Sequence, residues 1–226
     1  MSNEPGGVGA ALSRSPAVAW TALAFGVAVA AGDMLLVSAH LTVKTRTWTV
    51  GAASLAGVVL VLGALARWDW RSLGLRVVPI QGWWYWAKLT VIAAAGFGVL
   101  LLAIYGGARL LGIDTGPAPY MTPDQLGWFL RQGVVEAPLF EETIYRLALC
   151  TGAVAVLRKW PTIAVSGLAF GVLHVLYGNP GPDNILAGYV LAWAYLKSGT
   201  IWLPVVYHAL GNLTVYLVGV SFYYWG

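Results

Sequence analysis

Apolar residues fall in long runs separated by short polar stretches. Seven runs stand out: Ala17–Val37, Trp48–Ala66, Trp83–Gly106, a stretch opened by Pro123-Asp124 and reaching about Leu157, Trp160–Tyr177, Ile185–Leu196 and Ile201–Tyr224. Each is predicted to be a helix, and most have the length of a bilayer crossing, about 20 residues. The sixth run has only 12 residues, so it must tilt or be extended by its flanks. The last is expected to be interrupted at Pro204.

The stretches between the runs are polar in different ways. His40, Lys44 and Arg46 form a basic patch. Residues 67–84 mix Arg with Trp, which suits a segment lying at a membrane surface. Residues 107–123, with Gly and three prolines, read as an extramembrane loop, and residues 178–184 as a turn. Residues 1–16 are polar and Gly-rich without a short apolar core and cleavage site, so they read as a flexible tail ahead of a single membrane domain, 17–226.

Composition sharpens this picture. The chain of 226 residues is 59% hydrophobic and 10% charged, where soluble chains average about 25% charged. Its solvent must therefore be lipid, and its fold class an all-α polytopic transmembrane bundle of about seven helices. The net charge of +4 comes from residues placed between apolar runs, which orient helices and form no nucleic-acid patch. With seven spans, Arg14, Arg67, Arg71, Arg76, Arg158, Lys159 and Lys197 share the N-terminal side, against Lys44, Arg46 and Arg109 opposite. That excess favours a cytoplasmic N-terminus. The single cysteine, Cys150, excludes an intramolecular disulfide and reads as a buried, inert thiol.

Ionisable groups inside a bilayer cost roughly 2.5–3.5 kcal/mol each on insertion scales and tend to mark function. The fourth helix holds Arg131, Glu136, Glu141, Glu142 and Arg146, with Pro138 expected to free a carbonyl and kink the helix. Glu142 and Arg146 are four residues apart and share a face, so they can pair. Glu141 lies about 140° round the helix from Arg146, which leaves its carboxylate available. His174 reads either as a packed histidine or as a group that orients water or binds a metal. His208 and Asn212 share a helix face and either donate together to a carbonyl oxygen gaining charge or simply join two helices. No HExxH or GxSxG pattern is present, and Ser166 lacks an acidic partner for a serine mechanism. His40 reads as interfacial, and Asp33, Arg131 and Glu136 receive no assignment.

Taken in order, Glu141-Glu142 with Arg146, Phe170 with His174, and His208 with Asn212 resemble the EExxxR, FxxxH and HxxxN motifs of the CPBP/Abi family, the CAAX prenyl protease type II-like intramembrane endopeptidases. Ser72–Arg76 looks like that family's SLGLR segment, and Gly188-Tyr189 through Leu203-Pro204 looks like the run ahead of its last motif. The resemblance is close over about 120–215 and loose over 67–110. Leu147 stands where the family often has glycine, which spares the polar groups.

The resemblance implies hydrolysis of a peptide bond in a membrane-anchored protein or peptide, within an intramembrane cavity. Glu141 would be the general base, His174 would help hold the water, His208 and Asn212 would stabilise the oxyanion, and Glu142 with Arg146 would support them. The substrate stays open, prenylated or not, and the compact, Ala/Gly/Trp-rich chain suggests a bacterial inner-membrane location. No cofactor is favoured. A divalent metal such as zinc on Glu141, His174 and His208 is the alternative, and Glu142, engaged by Arg146, would be a poor ligand. A rival reading is a non-catalytic membrane protein, transporter-like or an immunity or scaffold protein, using the same polar cluster for binding. Residues 17–106 are expected to shape access only, so alanine at Asp33 or His40 should leave cleavage largely intact.

Overall fold

The computed structural model describes residues 7–39, 51–112 and 121–225. Among these the chain is all-helical, with no strand and one isolated antiparallel bridge between Leu75 and Thr200. Its seven helices follow the seven apolar runs. They are α1 (Pro16–Ser38), α2 (Ala52–Leu65), α3 (Gly82–Leu110), α4 (126–156), α5 (Lys159–Leu176), α6 (Pro182–Ser198) and α7 (Trp202–Trp225). Proline at the first position starts α1 and α6, where its missing N–H has no helical partner to lose. Gly199, at φ +68°, closes α6 in the left-handed conformation.

Several expectations are adjusted. The sixth helix is 17 residues long, extended by its flanks as its short apolar core requires. Pro204 does not interrupt α7, because it sits in the first turn, where N–H groups are free anyway. The third helix continues past Gly106 to Leu110, while residues 113–120 and the basic patch with His40 lie outside the described residues. Of the expected seven spans, three helices among the described residues are both long and apolar enough to cross a membrane: Pro16–Ser38, Lys159–Leu176 and Trp202–Ser221. The α2 helix is apolar but shorter, and α4 is interrupted by charge.

Residues 7–15 are not a flexible tail. Val8, Ala11 and Leu12 are buried in the main apolar cluster, and Gly9 N–H donates to Ser72 O at 2.7 Å. Burying three apolar side chains on a backbone hydrogen bond offsets the entropy of ordering the segment. The Arg/Trp-rich segment after α2 is tied to the turn between α6 and α7. Ile201 N–H donates to Gly74 O at 2.8 Å, and Ile80 N–H to Ser198 O at 2.8 Å. The Tyr195 hydroxyl, fully buried, donates to Leu73 O and lies 2.7 Å from the Thr151 hydroxyl, joining that segment to α4.

The α4 helix is the axis of the bundle, and every residue from Thr143 to Val154 is buried. It crosses α1 antiparallel through small residues. A Cβ on Gly26 would lie 2.6 Å from Ala148 O, and one on Gly152 would lie 2.5 Å from Ala22 O. Ala22 and Gly26 on one helix, and Ala148 and Gly152 on the other, therefore form two small-residue pairs at four-residue spacing that let the backbones touch. A side chain here meets backbone, which cannot swing away. Gly152→Val should lower the unfolding temperature in detergent by several degrees, in line with the ~1–3 kcal/mol or more of overpacking. Gly57→Ala, where a Cβ meets nothing within 4 Å, should leave it unchanged or raise it slightly. Equal melting of the two variants would mean that the crossing is not tight.

Candidate active site

The site is built on an unusual winding of α4. Leu130–Glu136 and Thr143–Cys150 are π-wound, and the short α-helical stretch Ala137–Glu142 lies between them. The expected kink at Pro138 takes this form. In the first π stretch hydrogen bonds reach five residues back, as from Ala137 N–H to Gln132 O. The next bond in that register would run from residue 138 to Gly133 O, and Pro138 has no N–H. Asn212 Nδ2, from α7, donates to Gly133 O at 2.6 Å instead. The freed carbonyl thus fastens the last motif to the first. The same winding brings Arg131 and Glu136, five apart, together at 2.8 Å.

Glu142 and Arg146 pair as their spacing predicts, Nε to Oε2 at 2.9 Å, and both side chains are fully buried. The other oxygen of Glu142 meets His208 Nδ1 at 3.0 Å. Since a carboxylate only accepts, that ring nitrogen carries the hydrogen and donates. His208 then turns Nε2 towards Glu141, 4.0 Å from its Oε2. One imidazole therefore stands between the two carboxylates. The Tyr177 hydroxyl donates to Glu141 Oε1 at 3.2 Å.

Phe170 is the hub of the apolar half of the site. Its ring lies 4.7 Å below the Arg146 guanidinium, 4.5 Å from His174, 5.6 Å from His208 and 5.7 Å from Tyr145, the last two edge-on. A cation over a buried aromatic face is favourable where water is excluded. His174 Nδ1 lies 3.0 Å from Phe170 O, one turn back on α5, which fixes the ring and leaves Nε2 for the site. The His174 ring also lies edge-on to Tyr177 at 5.7 Å. Ser166, fully buried, donates to Tyr145 O at 2.8 Å and accepts from Arg146 Nη1 at 3.2 Å. It is a strut of the ion pair, with no exposure for a nucleophile.

The structure thus sets Arg146, His174 and His208 around Phe170 and links Glu141 and Glu142 through His208, while Asn212 is anchored to Gly133. Cys150 is buried. Three contributors escape motif reasoning. Tyr177 caps the end of α5 three residues beyond His174, and that spacing is the available signal. Tyr145 sits inside the first motif. Asp33, on α1, is buried and accepts from the Tyr145 hydroxyl at 3.0 Å. Asp33, in the half expected only to shape access, thus touches a residue of the first motif. No spacing within one helix can announce a partner 112 residues away.

Among the described residues no three His, Cys, Asp or Glu side chains are placed to hold one ion. His208 Nδ1 is held by Glu142, which leaves Nε2 for the site, and Glu142 is gripped by Arg146.

The buried ion pair makes a stability prediction. Removing one member strands the other charge at a cost of about 3–5 kcal/mol. Glu142→Gln should therefore melt well below the wild type, by several times the shift of Glu141→Gln. Arg14→Gln, whose partner Asp69 is itself exposed, should shift little. Thermal unfolding of the three variants in one detergent checks the ranking, and Glu142→Gln melting with the wild type would refute it.

Comparison with known proteins places this arrangement. Residues 123–214 match the family model described as Rce1-like, type II CAAX prenyl endopeptidase Rce1-like. Searches of curated proteins and of solved structures returned no significant match. The matched stretch runs from the turn before α4 to α7 and contains every motif residue of the site. Residues 123–214 therefore form a domain of the Rce1-like family, the CPBP/CAAX proteases, which are membrane-embedded.

Proposed function

We propose that the protein is an intramembrane endopeptidase in which Glu141 activates a water against a peptide bond of a membrane-associated protein or peptide. The observation that carries this reading is the 4.0 Å gap between Glu141 Oε2 and His208 Nε2. The two atoms are too far apart to hydrogen-bond directly, yet close enough for one water to touch both. Both oxygens of Glu142 are engaged, one by Arg146 and one by His208.

In the proposed reaction the water oxygen attacks the peptide carbonyl carbon and its proton goes to the Glu141 carboxylate. The C–N bond then breaks, and Glu141 returns the proton to the leaving nitrogen. His174 Nε2 helps orient the water. His208, held at Nδ1 by Glu142, turns its Nε2 edge to the developing oxyanion. Asn212 commits one amide hydrogen to Gly133 O and has a second for the oxyanion. The Tyr177 hydroxyl holds Glu141 in place from the side. Glu142 and Arg146 orient His208 without touching substrate.

The chain fits a multi-pass protein of a bacterial inner membrane with a cytoplasmic N-terminus, by the excess of basic residues on that side. The family match makes C-terminally prenylated peptides the first substrates to try. The experiment uses purified protein in liposomes with quenched fluorescent peptides, farnesylated and unmodified. Glu141→Gln should abolish cleavage, a loss of at least about 100-fold, while the protein stays folded. Glu142→Gln should lose activity together with stability. Near-normal turnover in Glu141→Gln, beside a stable but dead Glu142→Gln, would reverse the two roles. A pH-driven solute flux with no cleavage of any peptide would favour a transporter instead.

A further inference from the structure

We propose that Asp33 and Tyr145 form a positioning pair that sets the angle of the Phe170 ring, and through it the placement of Arg146 and His208. The inference rests on the endopeptidase reading for its effect on turnover, and on geometry alone for its effect on the site.

Asp33 lies on α1, outside the matched domain, with only 3% of its surface exposed. It accepts from the Tyr145 hydroxyl at 3.0 Å, in a setting from which solvent is excluded. A carboxylate so placed is costly unless it does something for the fold or the site. Tyr145 is itself fully buried, and its ring stands perpendicular to Phe170, 5.7 Å between centroids and 89° between planes. Phe170 in turn carries the guanidinium of Arg146 on its face and the rings of His174 and His208 around it. The main chain repeats the connection: Tyr145 O takes the Ser166 hydroxyl, and that hydroxyl takes Arg146 Nη1. Tyr145 is therefore held at its hydroxyl end by α1 and at its carbonyl by α5. A side chain fixed at hydroxyl and backbone cannot swing away from Phe170, and full burial crowds the ring against turning on its own axis. Neither Asp33 nor Tyr145 is placed to touch substrate. Their action runs through Phe170, and a displacement of about 1 Å at reacting groups is enough to cost about 100-fold.

The test compares wild type with Asp33→Ala, Asp33→Asn, Tyr145→Phe and the Asp33→Ala/Tyr145→Phe double variant. Three quantities are read: kcat and KM on the cleaved peptide, unfolding temperature, and the rate at which diethyl pyrocarbonate modifies His174 and His208, mapped by peptide mass spectrometry. Asp33→Ala and Tyr145→Phe should each lower kcat by about 10- to 100-fold with KM changed less than about twofold. The double variant should be no worse than the worse single, because both remove one contact. Asp33→Asn, whose amide oxygen still accepts from Tyr145, should recover most of the rate. His208 should be modified several-fold faster in both single variants. A purely structural role predicts instead a fall in unfolding temperature that tracks the loss of rate, and no rescue by asparagine. Unchanged His208 reactivity in both single variants, or losses that multiply in the double, overturns the proposal. If wild type cleaves no peptide, or Glu141→Gln cleaves normally, the endopeptidase reading fails, and the histidine modification rates still decide whether the pair holds the site.

Discussion

A guanidinium and a carboxylate with no exposed surface, Arg146 and Glu142, constrain everything around them. Two charges removed from water are tolerable only when each finds several partners. Glu142 takes Arg146 on one oxygen and His208 on the other, and Arg146 adds Ser166 and the face of Phe170. Those partners come from α5 and α7, so satisfying one pair on α4 fixes three helices. The placement of Glu141 follows from this. Its neighbour in sequence has taken the arginine, and His208, fixed by that neighbour, presents its second nitrogen.

The parts readable in the sequence are those with a local period. Seven apolar runs gave seven helices, and the four-residue step from Glu142 to Arg146 gave the ion pair. The motifs on three helices were recognisable because each is short and lies on one face. What stayed hidden depends on contacts between distant segments or on departures from the α-helix. Residues 7–15 look polar and Gly-rich, yet Val8, Ala11 and Leu12 are packed, because their burial depends on α4 and the segment after α2. Asp33 looked like a residue near a helix end, and only the packing of α1 against α4 brings it to Tyr145.

The winding of α4 is a case between these. Pro138 was visible, and so was the carbonyl it would free. The register was not, since an α-helix would orphan Val134 O and a π-wound one orphans Gly133 O. That one-residue difference decides which carbonyl Asn212 meets. A side chain that pattern reasoning gave to the substrate is found tying two helices together with one of its two amide hydrogens, which leaves the other for the role first expected of it.

The antiparallel crossing of α1 and α4 also imposes an order of assembly. A chain synthesised from its N-terminus releases α4, with its buried acids and arginine, before α5, α6 and α7 exist. The neighbours already made are α1, α2 and α3, and of these α1 offers α4 a backbone-tight groove at Ala22 and Gly26 and an acceptor for Tyr145 at Asp33. The crossing thus pairs α4 with a helix that synthesis has already completed, while the partners of its buried charges, Ser166, Phe170 and His208, lie on helices made later.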